Sequence, residues 1–322
     1  MNINDFEIFK HNYYTPFINN NHDYLLNQSP YLDIILTDYC NANCLFCIAS
    51  LIHDKLVLDL ELAKPKIEFA IQHMGVREVL LLGGEPTVAK LLIPMIEWLC
   101  TLGLDKICMT TNGILLATNP TYASKILSAG LTHLNISFMS IHNKKQQDVC
   151  KHQYILTIAD IARIAGSAHV MDIKVRINNN SFKNNNDKLY EIITFYESLK
   201  NYVDSIKISP LLKVDAFSVL DYKTQWVTDN ILTDQEYDEL FESIENYYCK
   251  QVSVITNNEQ FGFVKNSMIP LPTPIILNWN QHGQMMQKVV NEHKINNLKL
   301  LPNGELSLSW NRELIDYYIK IN

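Results

Sequence analysis

Long apolar runs, basic blocks and late cysteines are what this chain of 322 residues has little of. No uninterrupted apolar stretch approaches the roughly 20 residues that span a bilayer, and the N-terminus, MNINDFEIFKHNYY, lacks the basic-then-apolar order of a signal peptide. A cytoplasmic chain with no membrane contact is the expectation. No run of Lys or Arg stands out and the formal net charge is -7, which argues against a protein held on nucleic acid by counterion release. Residues 1 to 30 are too few to make a peptide-binding domain of their own and read as an arm packed on the rest of the chain. After Cys249 there is no cysteine at all, so cluster ligands in the C-terminal extension are not expected.

What is present is enough for a large core: 47% hydrophobic and 19% charged residues fit one large domain or two. Seven cysteines, an odd count with three crowded into one stretch, suit a reducing compartment. That stretch, Asp38 to Ile48, reads DYCNANCLFCI and comes directly after the apolar run Tyr31 to Thr37. Cys40, Cys44 and Cys47 sit at spacings suited to a metal cluster and not to a disulfide. A cubic four-iron cluster normally takes four protein ligands, so three thiolates leave one iron open to a cofactor or substrate. Zinc held by the three cysteines and His53 is the alternative, and would make the chain a zinc-stabilised binding protein without a reaction.

Downstream the pattern alternates. A helix is expected from Asp59 to His73, ended by Gly75, with Pro65 implying a kink or a late start. Further apolar runs lie at Glu78 to Leu82, Lys106 to Thr110, His133 to Phe138, Asp172 to Ile177 and Ser205 to Ser209. Six strand-then-helix units predict a partial (β/α)6 TIM-like barrel of class α/β over residues 31 to 210, its chemistry at the C-terminal ends of the strands. Residues 211 to 322 read as a C-terminal α+β extension covering the barrel mouth. Within it Leu211 to Leu232 shows no period. Thr233 and Glu236 form a capping box, and LKLLPNGELSLSW turns as a hairpin at Pro302 to Gly304.

Gly83-Gly84-Glu85-Pro86 ends the second run and would let the backbone approach a ligand, because no Cβ blocks the way. Thr111-Asn112-Gly113 ends the third, and Ser137 lies in the fourth. Arg176, in the fifth, needs an anionic partner if it points inward and is a solvated edge charge if it points out. Cys100 and Cys108 read as small hydrophobes, and Cys150 and Cys249 as peripheral. The clusters Asn19 to Asn21, Asn178 to Asn180 and Asn184 to Asn186 read as solvated loops. Trp279, His282 and Trp310 read as packing or as substrate contacts.

Cys-x3-Cys-x2-Cys with Phe46 before the third cysteine, joined one unit later by GGEP, resembles the radical S-adenosylmethionine (radical SAM) superfamily, in its molybdenum-cofactor-synthase-like branch. The resemblance implies a [4Fe-4S] cluster on Cys40, Cys44 and Cys47, with S-adenosylmethionine chelating the open iron and cleaved to a 5'-deoxyadenosyl radical that abstracts hydrogen. It places Phe46 near the adenine, Gly83, Gly84, Glu85 and Pro86 at the cofactor amino group, Asn112 at the cofactor's border and Ser137 at the ribose or methionine. Arg176 would then meet the cofactor carboxylate. Ser137-Phe138-Met139-Ser140 departs from the family's Ser-x-Asp-Gly. The substrate expected is a ribosomally made peptide or, alternatively, a small metabolite such as a sugar, nucleoside or amino acid. The partner expected is a flavodoxin- or ferredoxin-type electron donor.

Overall fold

Alternation along each strand sends one set of side chains to the helices and the other into a concave face, and this two-sidedness organises the computed structural model. It describes residues 14–19, 22–47, 55–211, 222–248, 253–256, 263–280 and 294–308. β1 (Tyr14–Asn19) and β2 (His22–Ile35) form an antiparallel hairpin. After the cysteine loop come α1 (Leu60–Met74), β3 (Glu78–Leu82), α2 (Leu92–Leu99), β4 (Lys106–Thr111), α3 (Ile114–Thr118), α4 (Pro120–Leu127) and β5 (His133–Ser137). Next are α5 (Asn143–Cys150), α6 (Ile158–Val170), β6 (Lys174–Ser181), α7 (Leu189–Leu199) and β7 (Ser205–Pro210). The extension supplies α8 (Tyr222–Asn230), α9 (Asp234–Tyr248), β8 (Ser253–Thr256), β9 (Phe263–Ile269), β10 (Ile275–Asn280), β11 (Lys294–Leu300) and β12 (Leu306–Ser307).

The sheet order is β12-β11-β2-β3-β4-β5-β6-β7-β10-β9-β8, an open α/β barrel whose ends do not meet among the described residues. The six expected strands, β2 to β7, are parallel neighbours. The extension is woven into the same sheet: β10 adds in parallel beside β7 and β11 in parallel beside β2. Leu32, Ile34, Val79, Leu81, Leu134 and Ile136 face the helices in one continuous core. On the concave face the side chains are mostly polar.

Local chemistry sets the element ends. Asp59 caps α1 by accepting from the Glu61 and Leu62 N–H groups at 2.9 and 3.0 Å, and Gly75 closes it at φ 77°. Pro65 does not delay the helix, which starts at Leu60. Thr233 and Glu236 form the expected reciprocal cap, 2.7 Å from the Glu236 carboxylate to the Thr233 N–H. The hairpin at Pro302 to Gly304 forms as β11 and β12, with Gly304 at φ 81°.

Three expectations need correcting. Leu211 to Leu232 contains α8, whose weakly amphipathic pattern escapes a periodicity reading. Asn178 to Asn180 are not a solvated loop but part of the C-terminal half of β6, and Asn179, Asn185 and Asn186 are buried. Their amides converge on the β5–α5 turn. Asn179 Nδ2 donates to the Phe138 and Met139 carbonyls, both at 2.9 Å, and Asn185 Nδ2 and Asn186 Nδ2 reach the Met139 carbonyl at 2.8 and 3.2 Å. Cys100 is exposed at the end of α2.

A buried ion pair ties β11 to β2. Asp33 Oδ2 accepts from Lys299 Nζ at 2.8 Å and from Asn297 Nδ2 at 2.9 Å, with both charged side chains at most 3% exposed. Burial pulls the Lys299 pKa down against the attraction of Asp33. Lys299→Met should leave a buried carboxylate unpaired and cost about 3–5 kcal/mol in urea unfolding. The double variant with Asp33→Leu should recover most of that loss; a double variant no more stable than the single would show that the pair is not coupled.

Candidate active site

The loop after β2 is fastened at its base. The Asp38 N–H donates to the Leu56 carbonyl and the Leu58 N–H to the Leu36 carbonyl, each at 2.9 Å, and the Leu56 N–H donates to Asp38 Oδ2 at 3.0 Å. Its two limbs therefore leave the sheet side by side and present Cys40, Cys44 and Cys47 at the C-terminal end of the strands. Ile48 and His53 lie outside the described residues.

GGEP packs directly on that loop. The Gly84 N–H donates to the Thr37 carbonyl at 2.6 Å and the Glu85 N–H to the Tyr39 carbonyl at 2.8 Å. A Cβ on Gly83 would stand 2.6 Å from the Thr37 oxygen; one on Gly84 would fall on the Tyr39 carbonyl and 2.7 Å from that of Asp38. Glycine at both positions therefore also answers to the cluster loop's own backbone, which needs the space.

Glu85 is fully buried and joins two turns. Its carboxylate accepts from the Thr87 N–H and hydroxyl at 3.1 and 2.6 Å, from the Thr111 hydroxyl at 2.5 Å and from the Asn112 N–H at 2.8 Å. Burial pushes its pKa up while these donors pull it down. Pro86 opens the short 3₁₀ turn Pro86–Val88 that Glu85 caps. Asn112 reaches back to the loop, donating from Nδ2 to Asn41 Oδ1 at 2.7 Å, with Cys40 Sγ 4.0 Å away.

The sulfurs have identifiable neighbours. Cys40 Sγ accepts the Ala42 N–H at 3.4 Å, and burial is the main cause of its thiol being pushed up to about 12. Cys44 is raised well above an ordinary thiol, first by hydrogen bonding to the Cys150 thiol and then by burial, with Lys223 opposing. Cys150 is therefore not peripheral. The end of α5 pairs with the loop, Asn43 N–H to Cys150 carbonyl at 3.2 Å and Leu45 N–H to Val149 carbonyl at 2.9 Å. Among the described residues no three Cys, His, Asp or Glu groups converge on a single ion.

Phe46 packs partly buried in a small apolar cluster with Val149, Phe182, Leu211 and Val227. Ser137 ends β5 on the concave face, where Asn135 bridges Cys108 Sγ at 3.2 Å and Thr110 Oγ1 at 3.1 Å. Arg176 faces inward, in register with Asn135 and Ser205 and near enough to Cys108 to oppose the burial that raises that thiol to about 11. Sequence reasoning missed Cys150, the Asn179–Asn185–Asn186 clamp, and Tyr222, whose hydroxyl accepts from Asn43 Nδ2 at 3.1 Å. None carried a local spacing that could have revealed it. Trp279 lies in β10, but its side chain, with His282, Trp310 and Cys249, falls outside the described residues.

A parallel α/β barrel with a three-cysteine loop after its first parallel-sheet strand defines the class. Residues 34–195 match the radical SAM superfamily model, and the chain belongs to that superfamily. Its cofactors are a [4Fe-4S] cluster and S-adenosylmethionine. The sequence is 33% identical over 126 residues to a GTP 3',8-cyclase from Heliobacterium modesticaldum, covering 38% of this chain and 37% of that one. It is 29% identical over 185 residues to a GTP 3',8-cyclase from Campylobacter jejuni, covering 55% of each. The chain thus spans about half the length, or less, of these curated relatives. In fold it resembles Streptococcus suis SuiB bound to S-adenosylmethionine, with TM-score 0.62, 15% identity, 92% of this chain and 63% of that one covered. No described helix is long and apolar enough to cross a membrane.

Gly84→Ala tests the loop packing. The added methyl should displace the loop, so that iron bound on anaerobic reconstitution falls several-fold while the far-ultraviolet circular dichroism is kept. Full iron content in the folded variant would contradict it.

Proposed function

We propose that Cys40, Cys44 and Cys47 hold the [4Fe-4S] cluster and that the chain modifies a ribosomally made peptide. The observation that carries the site is the packing of the cysteine loop on GGEP and Asn112, which brings all three motifs to one end of the barrel. The three-thiol set fits the group, with Cys44 exchanging its contact with Cys150 for iron. When bound, the cluster supplies the electron that cleaves S-adenosylmethionine to a 5'-deoxyadenosyl radical, which abstracts hydrogen from substrate. The protein's part is to bind and orient. The backbone of Gly83 to Pro86 and the side chains of Asn112, Ser137 and Arg176 border the cofactor, Arg176 being the one cation among them suited to its carboxylate. Phe46 lies toward the adenine. The electron comes from a flavodoxin- or ferredoxin-type donor in the cytoplasm.

A peptide substrate is supported by the likeness to SuiB bound to its precursor peptide SuiA, with TM-score 0.59 over 88% of this chain. The curated GTP 3',8-cyclases favour a small metabolite instead. The superfamily match, however, stops at residue 195, before the β10 and β11 strands that complete the concave face.

Anaerobically purified protein should be brown, hold about four irons and four sulfides per chain, and with a strong reductant release 5'-deoxyadenosine. Alanine at Cys40, Cys44 or Cys47 should abolish that release, whereas Cys150→Ala should keep it together with the iron. Loss with Cys150→Ala and retention with Cys44→Ala would transfer the ligand role to Cys150. About eight irons, halved in a Cys249→Ala variant, would contradict the single cluster. A mass change in a precursor peptide encoded beside this chain, and none in guanosine triphosphate, is the expected substrate result.

A further inference from the structure

Beyond the cofactor residues, the concave face of β6, β7 and β10 carries a polar shelf. Ile275 and Leu277 join the helix-side core, so Ile276 and Asn278 point to the concave face, as do Lys207 and Ser209, which alternate with the core residues Ile206 and Ile208. Asn178 is in register with Lys207, and Asn180 with Ser209. The layer is fixed by Asn278 Nδ2, which donates to Ser209 Oγ at 2.8 Å.

Two acceptors on this shelf are unanswered. Asn278 is only 1% exposed, yet its Oδ1 meets no donor among the described residues, and the same holds for the buried Asn178 Oδ1. A buried carboxamide oxygen without a donor costs the desolvation of that group, and a leucine in its place would be cheaper. Both oxygens want an N–H from elsewhere. They stand two strands apart, at about 4.8 Å per strand, and two residues apart along the strands, at about 3.3 Å each, which places them on the order of 10 Å from one another. One nucleobase edge is too short to answer both. An extended peptide of about three residues, presenting a backbone N–H at each end, fits the span.

We propose that the concave face of β6 and β10 binds the substrate as an extended peptide backbone, Asn178 and Asn278 each accepting one of its amide N–H groups. This rests on the peptide reading above and names its recognition element.

The test uses full-length, cluster-loaded protein with S-adenosylmethionine and a randomised library of seven-residue peptides. Wild type should enrich peptides, and Asn178→Leu and Asn278→Leu should bind the best of them at least tenfold more weakly. Asn178→Asp, which keeps the acceptor, should stay near wild type. In the absence of peptide the Asn178→Leu variant should melt at or above the wild-type temperature, because an unanswered acceptor has been removed, whereas Asn278→Leu also gives up the bond to Ser209. Lower melting of Asn178→Leu would assign that asparagine to the fold and overturn the proposal. Unchanged peptide binding in the leucine variants would overturn the shelf and leave the peptide reading standing. Failure of wild type to enrich any peptide, with binding of guanosine triphosphate instead, would overturn the peptide reading and the shelf with it.

Discussion

The contact on which the site depends is the approach of two backbones, Gly83–Gly84 against Thr37–Tyr39, at distances no Cβ allows. Because the Gly84 and Glu85 N–H groups bond to the Thr37 and Tyr39 carbonyls, the start of the cysteine loop is fixed by the neighbouring strand's turn and not by its own short sequence. Glu85 then carries the constraint one strand further, since its buried carboxylate holds the turn after β4 through Thr111 and Asn112. Asn112 closes the circuit by returning to Asn41 in the loop. Three turns on consecutive strands thus set one another's positions, which a cluster and a chelated cofactor require of their surroundings.

The same economy of contacts explains the turn after β5. Here the chain reads Ser137-Phe138-Met139-Ser140, without the acidic residue and glycine that the family's pattern offers. Amide groups from β6 and the loop after it satisfy its carbonyls, and Gln146 Oε1 accepts the Met139 and Ser140 N–H groups, each at 3.0 Å. The asparagines that looked like solvated filler are what shapes this turn.

Much of the barrel was legible because helix and strand periods differ. Glu78–Leu82 matches its expected bounds, and Asp59 and Gly75 announce the ends of α1 through chemistry local to the sequence. The cysteine spacing and GGEP were legible for the same reason. The rest depends on distant partners. Nothing near Lys299 says that it pairs with Asp33, nothing near Asn278 that its strand lies beside β7, and nothing near Cys150 that it touches Cys44. Such contacts are set by topology, and the two-sided attachment of the extension at β2 and β7 could not be read from its short strands.

In the proposed site three thiolates leave one iron open and S-adenosylmethionine takes it. Electron paramagnetic resonance of the reduced protein, recorded with and without S-adenosylmethionine, tests this most directly. The expected result is a reduced-cluster signal whose g values shift on adding the cofactor and which is absent from the Cys44→Ala variant. A signal indifferent to S-adenosylmethionine, or a colourless protein containing zinc and no iron, would contradict it.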